Sequence, residues 1–215
     1  MQIDFVFIIT ILILSIVIHE VSHGYVAEYL GDPTARLAGR LTLNPLKHID
    51  PLGSIIIPAL LVISGANFLI GWAKPVPYNP YNLRNGKWGE AMVAGAGPLV
   101  NVLLALVFGL LIRFGIAFDF VSASFVEFAG YVVFINILLA FFNLIPVPPL
   151  DGSKVLSAIL PYGLMQPYMR FQNFMIRYGF VAAVGFIFIF IFFLWPYFFA
   201  LISFLFTLIT GIPFF

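Results

Sequence analysis

Two of the chain's three histidines stand four residues apart in His19-Glu20-Val21-Ser22-His23, inside an otherwise apolar run. On a helix, positions i and i+4 share one face, so the two imidazoles can ligate one metal ion together. Glu20 lies beside them and can reach a metal-bound water as general base. The competing reading is a pair of histidines packed or hydrogen-bonded between helices. An ionisable residue inside a membrane segment costs about 2.5–3.5 kcal/mol, so three such groups in five positions call for compensation. A divalent cation balanced by carboxylates would provide it.

The chain has no cysteine, so any metal must be held by His, Asp or Glu. Catalytic zinc uses three protein ligands and keeps a fourth position for water. The candidates for the third are Asp4, Glu28, Asp32, His48, Asp50, Glu90, Asp119, Glu127 and Asp151, most of them among loop residues. His48, in His48-Ile49-Asp50-Pro51, reads as a loop residue that its neighbours do not bury. Asp151 closes the longest uninterrupted apolar run, after Asn143-Leu-Ile-Pro-Val-Pro-Pro-Leu. The three prolines there end the helix and leave an irregular segment at membrane depth. Spacing alone fits Asp151 equally as a ligand or as an N-cap of the following helix.

The elements that must position these groups follow from composition. Of 215 residues, 62% are hydrophobic and 9% charged, with a mean hydropathy of +1.10 and a net charge of +1. A soluble domain has about 45–50% apolar and about 25% charged residues, so the class is an all-α polytopic membrane protein. A nucleic-acid surface is excluded by the same figures. At about 20 residues per span the chain supplies five to six transmembrane helices within one domain over 1–215. The runs are Ile3–Leu30, Leu52–Trp72, Ala91–Phe114, Phe125–Leu150 and a tail from Tyr178 to Phe215, with a short piece, Lys154–Arg177, before the tail. The first lacks a basic leader and a cleavage site, so it reads as a retained helix. Pro196 divides the tail, predicting two short helices or one kinked helix over about 178–213.

Six of ten Lys/Arg lie between the first and third runs, and Lys154, Arg170 and Arg177 follow the Phe125–Leu150 run. The positive-inside rule places both regions in the cytoplasm and the N-terminus outside. Residues 31–90 then begin and end on one face, so Leu52–Trp72, with Pro58, Gly53 and Gly65, is expected to be re-entrant or bent. The Pro/Asn-rich stretch Gly71–Glu90 is expected to be extended at the same face. His19, His23 and Asp151 each lie near the C-terminal end of an apolar run. They can meet only if those two helices run in the same direction, which the charge pattern independently predicts. That agreement favours Asp151 as a ligand and puts the site within the membrane, toward the cytoplasmic face.

HEVSH in the first run, LDG after Asn143-Leu-Ile-Pro-Val-Pro-Pro, and GAGPLVN from Gly95 to Asn101 together resemble the site-2 proteases. These are zinc metalloproteases that cleave peptide bonds inside membranes. The loops GRLTLNPLKHIDPLGSIIIP and GWAKPVPYNPYNLR are similar to the compact bacterial branch, without PDZ or CBS domains. The resemblance runs from Ile18 to about Leu156, which makes residues 1–160 the expected catalytic core. It implies one Zn2+ per chain held by His19, His23 and Asp151, with Glu20 as general base. It also implies a transmembrane protein as substrate and a bacterial inner-membrane location. Asn101 and, more weakly, Asn143 are candidates for placing the substrate. An interhelical hydrogen bond is the other use open to Asn101. An ion-binding transporter and an inactive binder of membrane segments are the alternatives to hydrolysis.

Overall fold

The computed structural model describes residues 5–65 and 71–214. Asp4, the end of the second apolar run at 66–70 and the last residue of the tail, Phe215, lie outside the described residues. Helix α1, Phe5–Tyr29, is 25 residues long, enough to span about 30 Å of hydrocarbon. It ends at Gly31, whose φ of 108° suits glycine, and at Asp32-Pro33. The short α2, Thr34–Leu37, follows.

Asp32 is fully buried and ties this corner together. Its carboxylate accepts from the N–H and hydroxyl of Thr34, from the N–H of Asn79 and from Nδ2 of Asn82. His48 is buried rather than left open by its neighbours, with Nε2 against the Thr42 carbonyl at 2.9 Å. The Asn44 and Asp50 side chains cap the two turns around it and fold the loop back over its ring.

A π-turn, Pro51–Ile56, runs into α3, Ile57–Ile63. At about 1.5 Å per residue this stretch falls well short of a bilayer. The chain returns to where it started. The Trp72 N–H donates to the Gly53 carbonyl at 3.2 Å, the Ser54 hydroxyl to the Trp72 carbonyl at 2.8 Å, and the Lys74 N–H to the His48 carbonyl at 2.9 Å. The bent segment and the extended stretch 71–79 therefore form the expected insertion between the first and next full spans.

Helix α4, Gly86–Ala117, has 32 residues, and α5, Ala123–Asn143, has 21. The short α6, Asp151–Ile159, leads into α7, Tyr162–Ile189, which kinks at Gly179, where φ is 42°. A π-turn, Phe190–Leu194, joins α7 to α8, Trp195–Thr210. The tail thus bends at Gly179 and at the π-turn just before Pro196, and Val181–Thr210 is apolar and long enough to make one span. Four helices among the described residues can cross a membrane, with Pro51–Ile63 as a shorter apolar partner. No strand occurs among the described residues.

Small residues let the helices approach. Ala105, Ala129, Val133, Ile137, Ile202 and Phe206 form the main core between α4, α5 and α8. Helices α1 and α5 run in the same direction, since Phe7 meets Phe128 and Ser15 meets Asn136 farther along both.

Candidate metal centre

On α1, His19 and His23 face three residues at helical spacing on α4, Val93, Gly97 and Asn101, while Ser15, one turn earlier, meets Asn136 on α5. Gly97 permits the approach: a side-chain carbon there would stand 2.5 Å from Nε2 of both histidines. Both imidazoles are buried, 5% and 7% exposed. Each is held at Nδ1, His19 by Asn101 Oδ1 at 2.5 Å and His23 by the Val93 carbonyl at 2.7 Å. Their Nε2 atoms point to one place.

Asp151 meets them there, its Oδ2 lying 3.2 Å from His19 Nε2 and 3.3 Å from His23 Nε2. The ligand atoms of the three residues lie within 4.8 Å of one another. Asp151 opens α6, yet its side chain makes no cap bond, and Leu150 occupies the N-cap position. The adjacent Gly152 presses against the end of α5, where a Cβ would come 2.1 Å from the Leu144 carbonyl oxygen. The Leu-Asp-Gly turn can therefore pack against α5 only with glycine at its third position. Two imidazole nitrogens and one carboxylate oxygen, converging beside a glycine that leaves space, suit a divalent cation of the zinc type.

Glu20 leaves α1 on a neighbouring face and accepts the Val76 N–H on Oε2 at 2.9 Å. The extended stretch 71–79 thus reaches the carboxylate directly, a contact the spacing did not reveal. One turn along α4 and α6, the Tyr78 hydroxyl donates to Glu90 at 3.3 Å and Lys154 Nζ lies 4.9 Å above the Tyr78 ring. Burial pushes the Tyr78 phenol above its usual pKa, against the opposing influence of Lys154. Glu90, Ser153, Lys154 and Gln172 border a cavity of about 600 Å3 between α6 and α7.

Asn101 reaches the centre and makes the interhelical hydrogen bonds that were its other expected use. It is fully buried, with one end of its carboxamide on His19 and the other on Asn136 at 2.7 Å. Asn143 stays away: its Nδ2 donates to the Leu139 carbonyl of its own helix at 2.9 Å. Asn136 and Ser15 went unnoticed in the sequence, although Asn136 is a lone amide in the run VVFINILLAF.

Comparisons with known proteins agree with this geometry. The family model for peptidase family M50 matches residues 114–186. The chain is 34% identical over 181 residues to the "Putative zinc metalloprotease YwhC" of Bacillus subtilis, covering 82% of this chain and 77% of that protein. It is 30% identical over 167 residues to the "Putative zinc metalloprotease Rip2" of Mycolicibacterium smegmatis, covering 77% of this chain and 58% of that protein. A match to "Zinc metalloprotease MJ0392" of Methanocaldococcus jannaschii, at 28% identity, covers 73% of this chain and 35% of that protein. No solved structure matches significantly. The chain belongs to peptidase family M50, the site-2 protease family, and is a zinc metalloprotease.

Proposed function

We propose that this protein is an intramembrane endopeptidase that hydrolyses peptide bonds within or near transmembrane segments of membrane-protein substrates. The observation that carries the reading is the convergence of His19 and His23, within the apolar span Val6–Tyr29, with Asp151 at the start of α6. These three hold one zinc per chain, and Glu20 is the general base. Residues 1–160 form the catalytic core. The chain lies in a bacterial cell membrane with its N-terminus outside and the centre displaced toward the cytoplasmic face, the orientation that its Lys/Arg distribution favours.

When bound, zinc supplies a Lewis acid that polarises a carbonyl and lowers the pKa of a water toward neutrality. The chain's own groups do the rest. The imidazoles keep their Nε2 lone pairs on the metal position because each Nδ1 faces an oxygen. Glu20 takes the proton from the attacking water and passes it to the leaving amine. The Val76 N–H, on Oε2, orients that carboxylate. A substrate helix must unwind locally, because its carbonyls are already hydrogen-bonded. Residues 52–90, which include the stretch touching Glu20, are the surface on which an extended substrate is gated or paired.

Zinc per chain and cleavage of a membrane-protein substrate, measured together in detergent, test the reading. Glu20→Gln is expected to keep its zinc and lose activity by about 10²–10⁴-fold. Asp151→Ala is expected to lose zinc. Full zinc in Asp151→Ala would remove the aspartate from the centre, whereas activity surviving in Glu20→Gln would turn the reading toward ion transport.

A further inference from the structure

We propose that Asn136, acting through Asn101, fixes a proton of His19 on Nδ1 and so leaves Nε2 as the nitrogen that faces the metal position. The inference rests on the zinc reading above. It begins at a group whose role admits no choice. The Val132 carbonyl can only accept, and a side-chain nitrogen of Asn136 lies 2.9 Å from it. The amide end of Asn136 therefore faces Val132, and the same NH2 lies 2.9 Å from the Ser15 hydroxyl oxygen.

That orientation leaves Asn136 Oδ1 facing Asn101, which must offer its own NH2, at 2.7 Å. Asn101 consequently presents oxygen to His19 Nδ1 at 2.5 Å, and only an N–H satisfies an oxygen there. A carboxamide has a donor end and an acceptor end, so each one hands on the direction set by the one before. Ser15, His19, Asn101 and Asn136 are all buried, the last two at 0% exposure, so solvent cannot reset the chain. The opposite tautomer would set a lone pair against Asn101 Oδ1, at 2.5 Å, and would satisfy only the longer contact of Nε2 with Asp151 Oδ2, at 3.2 Å, where the metal would stand between them. His23 reaches the same state by a shorter route, through the Val93 carbonyl. His19 is thus the ligand whose readiness depends on side chains, and Asn136 is a positioning residue two hydrogen bonds away from it.

The test uses the full chain in detergent micelles with 15N-labelled histidine, stripped of metal and held well above the ordinary imidazole pKa of about 6.5. Only three histidines contribute. His19 and His23 should carry a proton on Nδ1, with or without a second one on Nε2 toward Asp151, and His48, whose Nε2 faces the Thr42 carbonyl, should carry its proton on Nε2. In Asn136→Leu the His19 resonances should move toward the Nε2–H form while the other two stay. Zinc affinity, measured by chelator competition, should fall about 10–100-fold. Asn136→Asp keeps an acceptor toward Asn101 and should retain both the tautomer and most of the affinity. A His19 with a proton on Nε2 and none on Nδ1 in the unmodified protein would overturn the proposal without any variant. So would an unmoved His19 with undiminished zinc affinity in folded Asn136→Leu. Should that variant fail to fold, the unmodified spectrum and Asn136→Asp decide. If the unmodified protein binds no zinc, the metal reading fails, and the tautomer measured on the metal-free chain answers the second question separately.

Discussion

Within a radius of a few ångströms, chemistry and packing make opposite demands on α4. Helix stability favours alanine over glycine by about 1 kcal/mol, yet Gly97 stands where a Cβ would meet Nε2 of both histidines at 2.5 Å. Gly97→Ala is therefore expected to keep or raise helicity by circular dichroism and to lower zinc affinity at least about 10-fold, because the histidines must turn away from the metal position. A variant that binds zinc normally would show that α4 can retreat from α1. Asp151 illustrates the same point. Its residue type allows two roles, and the burial of His19 and His23 against it, with no cap bond formed, favours the ligand role.

Among the elements, the re-entrant segment is the one whose position depends on other parts of the chain. Stretch 71–79 is held by Gly53, His48, Glu20 and Asp32 rather than by a regular ladder. Burial raises the Asp32 pKa, but the bonds from Thr34, Asn82 and Asn79 outweigh it and hold the carboxyl below its usual value. A depressed carboxylate pKa stabilises the fold fully above the unfolded value of about 3.9 and loses that contribution as pH falls through the folded one. Thermal unfolding in detergent should show an acid limb below about pH 4 that is flattened in Asp32→Asn. Asp32→Ala should cost about 2–4 kcal/mol at neutral pH, because it strands buried donors. A second expectation concerns motion. A disulfide introduced between positions 48 and 74, whose backbones are hydrogen-bonded, should stop cleavage without loss of zinc and be relieved by reductant. Full activity of the oxidised form would show that the segment need not move.

Across the whole molecule the arrangement of polarity is that of a membrane protein. Leu99, Leu103, Leu106 and Leu110 are exposed along α4, whereas Ala105, Asn101 and Gly109 are buried. An apolar outer stripe over a small-residue core suits lipid contact. Arg113, the one basic residue apart from the two basic clusters, donates from Nη1 to the Leu208 carbonyl at 2.7 Å. It caps the last turn of α8, so its departure from the charge bias has a structural cause. The absence of native cysteine makes orientation easy to measure. Single cysteines at Lys47, Lys87 and Arg170 should react with a membrane-impermeant maleimide only after the cytoplasmic side is opened, and one at Asp119 should react in intact cells. The reverse pattern would invert the orientation and leave the centre's chemistry unchanged.

Much of this protein was legible before any coordinates. Long apolar runs specify helices because no other span satisfies its backbone in lipid, and HEVSH puts two imidazoles on one face through helical periodicity alone. The bend of the second run and the common direction of α1 and α5 follow from where the charges and prolines fall. Apart from the meeting of Asp151 with the two histidines, contacts between distant segments were not legible, because periodicity describes one helix at a time. Tertiary structure alone closed the loop over His48 and drew Val76 onto Glu20. It also set the Asn143 amide on the Leu139 carbonyl of its own helix and the Asn101 carboxamide against His19. A carboxamide's partner in a bundle is whatever polar group the neighbouring helix offers at the same depth, and depth and facing are fixed only when all the helices have packed.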